Sequence, residues 1–302
     1  MDYKGLFRHE YIDEENVLID AEMKDFTSFK TGGKAAVLVI PKSVDQLQYV
    51  LKTLEAEKIK HMVLGNGSNI LFTDKGYDGV VVKLGNEFGE IYTEGESVIA
   101  GASALLSTVS KFALREGLTG MEFASGIPGT IGGAAFMNAG AYGGEMKDII
   151  DKITIIKADG SEIKDLDVDK LNLGYRQSVL QETGDMVLSV RLNLKKGNIE
   201  SIEEKMKDFM KRRNDKQPVN YPSAGSFFKR PEGYFAGKLI EDAGLKGLTV
   251  GGAQVSTLHS GFVINAGGAT ATDIVDLMHL IQNTVYDKFG VKLEPEVRII
   301  GD

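Results

Sequence analysis

Glycine is spaced through this chain as though backbone, rather than side chains, must meet a ligand. It recurs nine times from Gly117 to Gly144, and the centre of that stretch reads Ser125-Gly126-Ile127-Pro128-Gly129-Thr130-Ile131-Gly132-Gly133-Ala134. Glycine tolerates positive φ and lets a backbone come close to another body. Successive amides in such a turn can converge on an anion, and a helix starting just after adds its dipole. A shorter site of the same kind, Gly65-Asn66-Gly67-Ser68-Asn69, follows the apolar run Met62-Val63-Leu64. Either turn alone reads more simply as tight packing. Two in one chain point to a ligand with a diphosphate, such as a dinucleotide. Neither ends in the Gly-Lys-Ser/Thr of a triphosphate loop, and neither has the acidic ribose partner of a Rossmann fingerprint.

Three other segments carry polar groups suited to chemistry. In Ser223-Ala224-Gly225-Ser226-Phe227-Phe228-Lys229 the hydroxyl of Ser226 precedes two aromatics and a lysine. Alone, this is a turn leading into a core strand; functionally, it is a hydroxyl beside an apolar wall, able to give up a proton if a neighbouring cation steadies the alkoxide. In Leu293-Glu294-Pro295-Glu296-Val297-Arg298 the charged positions alternate with apolar ones. They form either a solvated face with weak ion pairs or a cleft wall presenting Glu296 and Arg298. In Gly174-Tyr175-Arg176-Gln177-Ser178 the guanidinium of Arg176 is either a structural ion-pair partner or a planar fork for a carboxylate. The histidines His9, His61, His259 and His279 lack metal-ligand spacing. His279 reads as structural and His259 stays open between roles. The basic run from Lys211 to Lys216 suits a helix C-terminus and a nucleotide diphosphate equally well.

These groups need a scaffold, and the apolar pattern supplies one. Ala36–Ile40, Met62–Leu64 and Val80–Leu84 read as strands around a helix capped by Ser43 and Gln46, with Leu47, Val50, Leu51 and Leu54 on its inner face. The first glycine turn then lies at the carboxyl end of a strand, where α/β proteins bind ligands. Ser97–Gly101 predicts a strand, and Ser103 caps a helix through Leu106, Val109 and Ala113 that Gly117 ends. Ile149–Lys157 and Glu162–Leu166 flank Asp159-Gly160 as a hairpin, and Leu188–Leu194 alternates as a half-buried strand. Lys195-Lys196-Gly197-Asn198 marks a boundary. Beyond it come a helix boxed by Ser201 and Glu204, a helix near Tyr234–Ala243, another over Asp273–Phe289, and a last strand over Val291–Ile300.

Composition narrows the class. The chain has 302 residues, 42% hydrophobic and 26% charged, enough for two or three soluble domains. A net charge of −8 opposes general nucleic-acid binding. With no cysteine there is no disulfide, thiolate chemistry or cysteine-linked flavin. The start Met1-Asp2-Tyr3-Lys4-Gly5 has no apolar signal core and no run reaches membrane-spanning length, so the expected compartment is the cytosol.

Taken in order, the motifs resemble the UDP-N-acetylenolpyruvoylglucosamine reductases of bacterial cell-wall synthesis. The likeness runs from Thr27-Ser28-Phe29-Lys30-Thr31-Gly32-Gly33 to Glu294-Pro295-Glu296-Val297-Arg298, and the ordered combination carries it. It implies an α+β, three-domain flavoprotein. A vanillyl-alcohol-oxidase-type FAD-binding fold would occupy subdomains 1–84 and 85–196, and an α+β substrate-binding domain 197–297, with a final strand at about 298–302 returning to the first. FAD would bind non-covalently at Gly65, Asn66, Gly67, Ser68, Asn69, Ser125, Gly126, Pro128, Gly129, Thr130, Gly132 and Gly133. NADPH would reduce it, and hydride would then pass to the vinyl carbon of the enolpyruvyl ether, leaving an enolate. By resemblance, Arg176 and Glu296 stabilise that enolate, Glu296 best when protonated, and Ser226 protonates the second carbon. Tyr175, Lys216, Lys229, His259 and Arg298 would contact substrate. The expected protein is a monomer without metal, nucleic-acid or membrane partners. Arg230 stands where many relatives have Asn, and the stretch from Leu194 to Ser226 leaves no room for an inserted tyrosine loop, implying the branch with a more open cleft. A flavin oxidase on the same scaffold would need a base instead of this serine, arginine and glutamate. A non-catalytic nucleotide-sugar binder would not be yellow when purified.

Overall fold

The computed structural model describes residues 3, 5–7 and 10–301. Met1, Asp2 and Lys4 of the polar start, His9, and Asp302 at the end of the expected returning strand lie outside them. The described chain divides into two compact units. The first takes the residues through Ile19, Val37–Asn66 and Gly79–Arg212; the second takes Asp20–Ala36, Gly67–Asp78 and the residues from Arg213 onward.

In the first unit, α1 (Val44–Ala56) starts where Ser43 Oγ accepts from the Gln46 amide at 3.2 Å. The Gln46 side chain returns not to Ser43 but to the Lys42 amide, at 2.7 Å, so the expected reciprocal box is shifted by one residue. Leu47, Val50, Leu51 and Leu54 are fully buried, each contributing about 1.5–3 kcal/mol relative to exposure. Of the sheet ordered Val17–Glu22, Lys34–Val39, Tyr77–Val82, His61–Val63, the first unit holds His61–Val63 and those parts of the other strands outside Asp20–Ala36 and Gly67–Asp78. The last two are parallel, His61 opposite Val80, and Leu64 N still donates to Val82 O at 2.9 Å. Regular pairing therefore ends at the residue before Gly65.

The same unit holds an antiparallel sheet in the order Ile163–Asp167, Ile150–Ile156, Met186–Asn193, Ser97–Gly101, Ile91–Glu94. Its hairpin turns at Gly160, where φ is +72°. Val190 and Leu192 point inward, while Ser189 and Arg191 are partly exposed, as the alternation predicts. Helices α2 (Leu106–Arg115), α3 (Ile131–Met137), α4 (Leu180–Thr183) and α5 (Ile199–Lys216) complete the unit, apart from the last turn of α5. Two expected caps are corrected. Ser103 caps nothing: α2 begins after a bridge between Leu105 and Thr130, where Leu106 N donates to Gly129 O at 2.9 Å. Ser201 lies inside α5, whose start is capped by Asn198, its Oδ1 accepting from Ser201 N at 2.9 Å.

Glu122, within the glycine-rich stretch, is a buried carboxylate, 3% exposed. Burial alone would raise its pKa. Thr119 Oγ1 at 2.6 Å and the Gly120 amide at 2.8 Å, with Lys205 beyond, outweigh that and hold it below the ordinary 4.5. A carboxylate with a depressed folded pKa lends stability above its unfolded value, lost as pH falls through the folded one. Thr119→Val should therefore lower the unfolding free energy at pH 7 by about 1.5–3 kcal/mol. In urea titrations the gap between variant and parent should narrow below about pH 4; a gap independent of pH would refute the account.

In the second unit, α6 (Ala236–Asp242) ends before Gly244, at φ +81°. The 19-residue helix α7 (Ala271–Phe289) opens with a reciprocal box: Asp273 N donates to Thr270 Oγ1 at 3.0 Å and Thr270 N to Asp273 Oδ2 at 2.9 Å. The Asp74 carboxylate also receives the Ala271 and Thr272 amides at 2.9 and 2.8 Å. Ile274, Leu277, Ile281 and Val285 are buried with Phe29 and Phe227, whose rings meet edge to face at 6.2 Å. Thr249–Val250, Ala253–Val255 and Val263–Asn265 form a small sheet, and Arg298–Ile300 runs parallel to Ile70–Phe72. The expected strand over Val291–Ile300 shrinks to those last residues. Pro295 lacks the ladder N–H, and the backbone on either side of it pairs with residues 227–229 instead.

Candidate active site

Ser226 is set by a turn and an anchor. Gly225 adopts φ +78° and releases the chain from its run beside Gly261–Asn265. Phe227 and Phe228 then plunge into the second unit's core, leaving Ser226 exposed just before them. The segment Phe227–Lys229 lies antiparallel to Glu294–Glu296: Lys229 N donates to Glu294 O, and Glu296 N to Phe227 O, each at 2.8 Å. Glu296 is half-buried, one hydrogen-bonded step from Ser226. Asn69, last residue of the first glycine turn, grips the same strand: its Nδ2 donates to Glu296 O at 3.1 Å and its carbonyl accepts from Arg298 N at 3.0 Å. The second unit thus joins Glu296, Arg298 and Asn69 by hydrogen bonds, with Ser226 next along the chain from their partner Phe227.

Ser28 bonds to the same segments and was not singled out among the sequence candidates. Its Oγ donates to Ser223 O at 2.6 Å, and its amide to Gly67 O at 3.1 Å. The signal lay in the Thr-Ser-Phe-Lys-Thr-Gly-Gly string, but a hydroxyl that works through carbonyls leaves no spacing rule. Gly67, at φ +64°, packs so close to Phe26 that a Cβ would overlap the Phe26 carbonyl. Gly67→Ala should cost at least the ~1–3 kcal/mol of a forced left-handed residue. Thermal unfolding of the protein freed of cofactor checks this; an unchanged midpoint would show that the turn is not so constrained.

In the first unit the two glycine segments touch. Asn66 Nδ2 donates to Pro128 O at 2.7 Å, and a Cβ on Gly65 would lie 3.0 Å from Thr130 Oγ1. Thr130 caps α3, accepting from Gly133 N at 3.3 Å. Gly132 packs onto Ala102, where a Cβ would come within 2.9 Å of the alanine methyl. Among the described residues the amides of Gly65, Asn66, Gly126, Gly129 and Thr130 donate to no protein acceptor, and in the second unit the same holds for Gly67, Ser68 and Asn69. Amides left free in tight, Cβ-excluding turns are what diphosphate oxygens require, so the chain fits the dinucleotide that its sequence implies.

Arg176 also belongs to the first unit, in a two-residue turn between Gly174 and Gln177 that is closed by reciprocal backbone bonds of 3.1 and 3.3 Å. Its φ is +56°. The guanidinium carbon lies 5.3 Å from the centre of the exposed Tyr175 ring, a cation–π arrangement. Lys229 pairs with Glu294 at 3.4 Å, and Lys216 is exposed on the last turn of α5. His259 Nδ1 accepts from Gly261 N at 3.0 Å, which leaves the proton on Nε2, and burial holds its pKa below 6.5. The ring is a neutral donor at pH 7. Arg230 stacks on Phe235, its guanidinium carbon 4.0 Å from the ring centre. Among the described residues no cluster of histidine, aspartate or glutamate could hold a metal ion, and no helix is long and apolar enough to cross a membrane.

The chain is an FAD-dependent oxidoreductase of α+β fold. The sequence profile of the FAD binding domain family matches residues 35–165, over the strands, helices and glycine segments just described. It belongs, more narrowly, to the family of UDP-N-acetylenolpyruvoylglucosamine reductase, whose C-terminal domain profile matches residues 217–300. The protein of that name from Alkaliphilus oremlandii is 50% identical over 300 residues, covering 99% of this chain and 98% of its own. Its namesake from Caldanaerobacter subterraneus subsp. tengcongensis is 50% identical over 97% of this chain and 96% of its own. The crystal structure of the Thermus caldophilus reductase superposes with a TM-score of 0.80 at 35% identity, over 94% of this chain and 98% of that one.

Proposed function

We propose that this protein reduces UDP-N-acetylenolpyruvoylglucosamine to UDP-N-acetylmuramate with NADPH as electron donor, in bacterial peptidoglycan synthesis. Full-length relatives at 50% identity that bear the reductase name support the activity. The observation that carries the residue assignment is the pairing that sets Ser226 and Glu296 on adjoining backbone, tied by Asn69 to a glycine turn. Backbone amides of Gly65–Asn69 and Ser125–Gly133 would hold FAD, which would supply the means of taking hydride from NADPH and passing it to the vinyl carbon.

The chain's own residues manage charge and protons. Arg176 binds the substrate carboxylate through its planar fork. As the vinyl carbon gains hydride, negative charge spreads onto that carboxylate as an enolate. Arg176 and Glu296 stabilise the charge as it develops, which lowers the barrier more than binding the ground state would. Ser226 Oγ–H then delivers a proton to the carbon bearing the carboxylate. Tyr175, Lys216, Lys229, Arg298 and the neutral Nε2–H of His259 contact the nucleotide sugar. The three-domain division at about 84 and 196 and a cytoplasmic setting belong to the same reading, the latter supported by a cysteine-free composition. The deciding assay follows NADPH consumption by the FAD-loaded protein. Oxidation that depends on UDP-N-acetylenolpyruvoylglucosamine is expected; NADPH oxidation indifferent to it would favour an oxidase.

A further inference from the structure

Asn138 and Gln181 take no part in the reaction as proposed, yet the turn that carries Arg176 hangs on them. A non-glycine residue at φ +56° sits about 1–2 kcal/mol above its relaxed state. Such a conformation persists only when its surroundings impose it. Two side-chain amides do so. Asn138, 1% exposed, donates from Nδ2 to Gly174 O at 2.8 Å and to Glu145 Oε2 at 2.7 Å, while its Oδ1 accepts from Lys147 N at 2.9 Å. It is itself the left-handed C-cap of α3, at φ +42°. Gln181 Nε2 donates to the carbonyls of Arg176 and Phe136, both at 3.0 Å. Ser178 Oγ reaches the same Phe136 carbonyl at 2.6 Å. The carbonyl of Arg176 and the one opening its turn are therefore both pinned to the C-terminal end of α3, the helix that begins in the second glycine segment.

We propose that Asn138 and Gln181 are positioning residues that aim the Arg176 guanidinium by fixing the backbone on which it stands. This rests on the role proposed for Arg176. It predicts that a change at either residue slows the half-reaction that uses Arg176 and spares the half that does not.

The test is stopped-flow absorbance of the FAD-loaded enzyme, with flavin reduction by NADPH and reoxidation by substrate recorded separately. The variants are Asn138→Gly, which keeps the left-handed backbone, and Gln181→Ala, each alone and combined with Arg176→Ala. Each single change should slow reoxidation about ten- to a hundredfold, the scale of a misplaced catalytic group, with reduction within about twofold of the parent. Combined with Arg176→Ala, neither should cause further loss, because coupled residues are non-additive. Equal losses in both half-reactions, or losses that multiply on the Arg176→Ala background, would show general structural damage and overturn the proposal. Should Asn138→Gly fail to fold, the exposed Gln181 decides alone. Arg176→Ala reoxidising at the parent rate would instead refute the assignment of Arg176, an outcome visible before any positioning variant is compared.

Discussion

Ser226→Ala should leave flavin reduction by NADPH at the parent rate and slow reoxidation by the enolpyruvyl substrate by a factor of about 10²–10⁴, the usual worth of a positioned proton donor. The selectivity follows from what the hydroxyl does: no proton is needed at carbon until hydride has arrived there. The fold should not notice the change. Ser226 is exposed and its neighbours Phe227 and Phe228 carry the packing, so thermal unfolding should move by no more than a surface substitution does, about 0.5 kcal/mol. Single-turnover traces read both halves in one preparation. Reoxidation at the parent rate would show that the proton comes from another group.

Arg176→Gly should separate stability from activity. Glycine relaxes the left-handed backbone at φ +56°, a gain of about 1–2 kcal/mol. The loss of the contact with Tyr175, together with the arginine's other interactions, takes back at least about 0.5–1 kcal/mol. Stability should therefore stay within about 1.5 kcal/mol of the parent. Reoxidation should fall by about 10²–10³, the cost of removing one preorganised donor to a developing oxyanion. Arg176→Lys should recover only part of this, because an ammonium cannot engage a carboxylate with two parallel bonds. Unimpaired turnover with glycine at this position would refute the role assigned to the Arg176 guanidinium.

The glycine turns, α1 and α7 were legible from the sequence because their signals are local. Leu47, Val50, Leu51 and Leu54 repeat at helical spacing and are buried at that spacing. Ser226, Arg176 and Glu296 stood out as candidates only in combination, since each alone had a plainer structural reading. What escaped depends on distant backbone. Ser103 stands at a reasonable cap position, but a bridge to Thr130, far along the chain, starts α2 later. Asn198 and Ser201 are near-equal as cap types, and the chain's exit from its pairing with Leu118–Thr119 decides for Asn198. The alternation from Val291 onward is real for Leu293 and Val297, both buried, yet only Arg298–Ile300 pairs regularly. Ser28, Asn138 and Gln181 act on carbonyls, which every residue carries, so no residue pattern marks their targets.

The parallel pairing of Arg298–Ile300 with Ile70–Phe72 bears on synthesis as well as on catalysis. The polypeptide between Asn69 and its gripping partner is more than two hundred residues long, and closing so large a loop is late and slow. A nascent chain can complete the five-stranded antiparallel sheet of the first unit, but the turn at Gly67–Asn69 stays without its neighbour until Arg298–Ile300 has been made. Capture of flavin by stalled chains should therefore begin only once Arg298–Ile300 has cleared the exit tunnel.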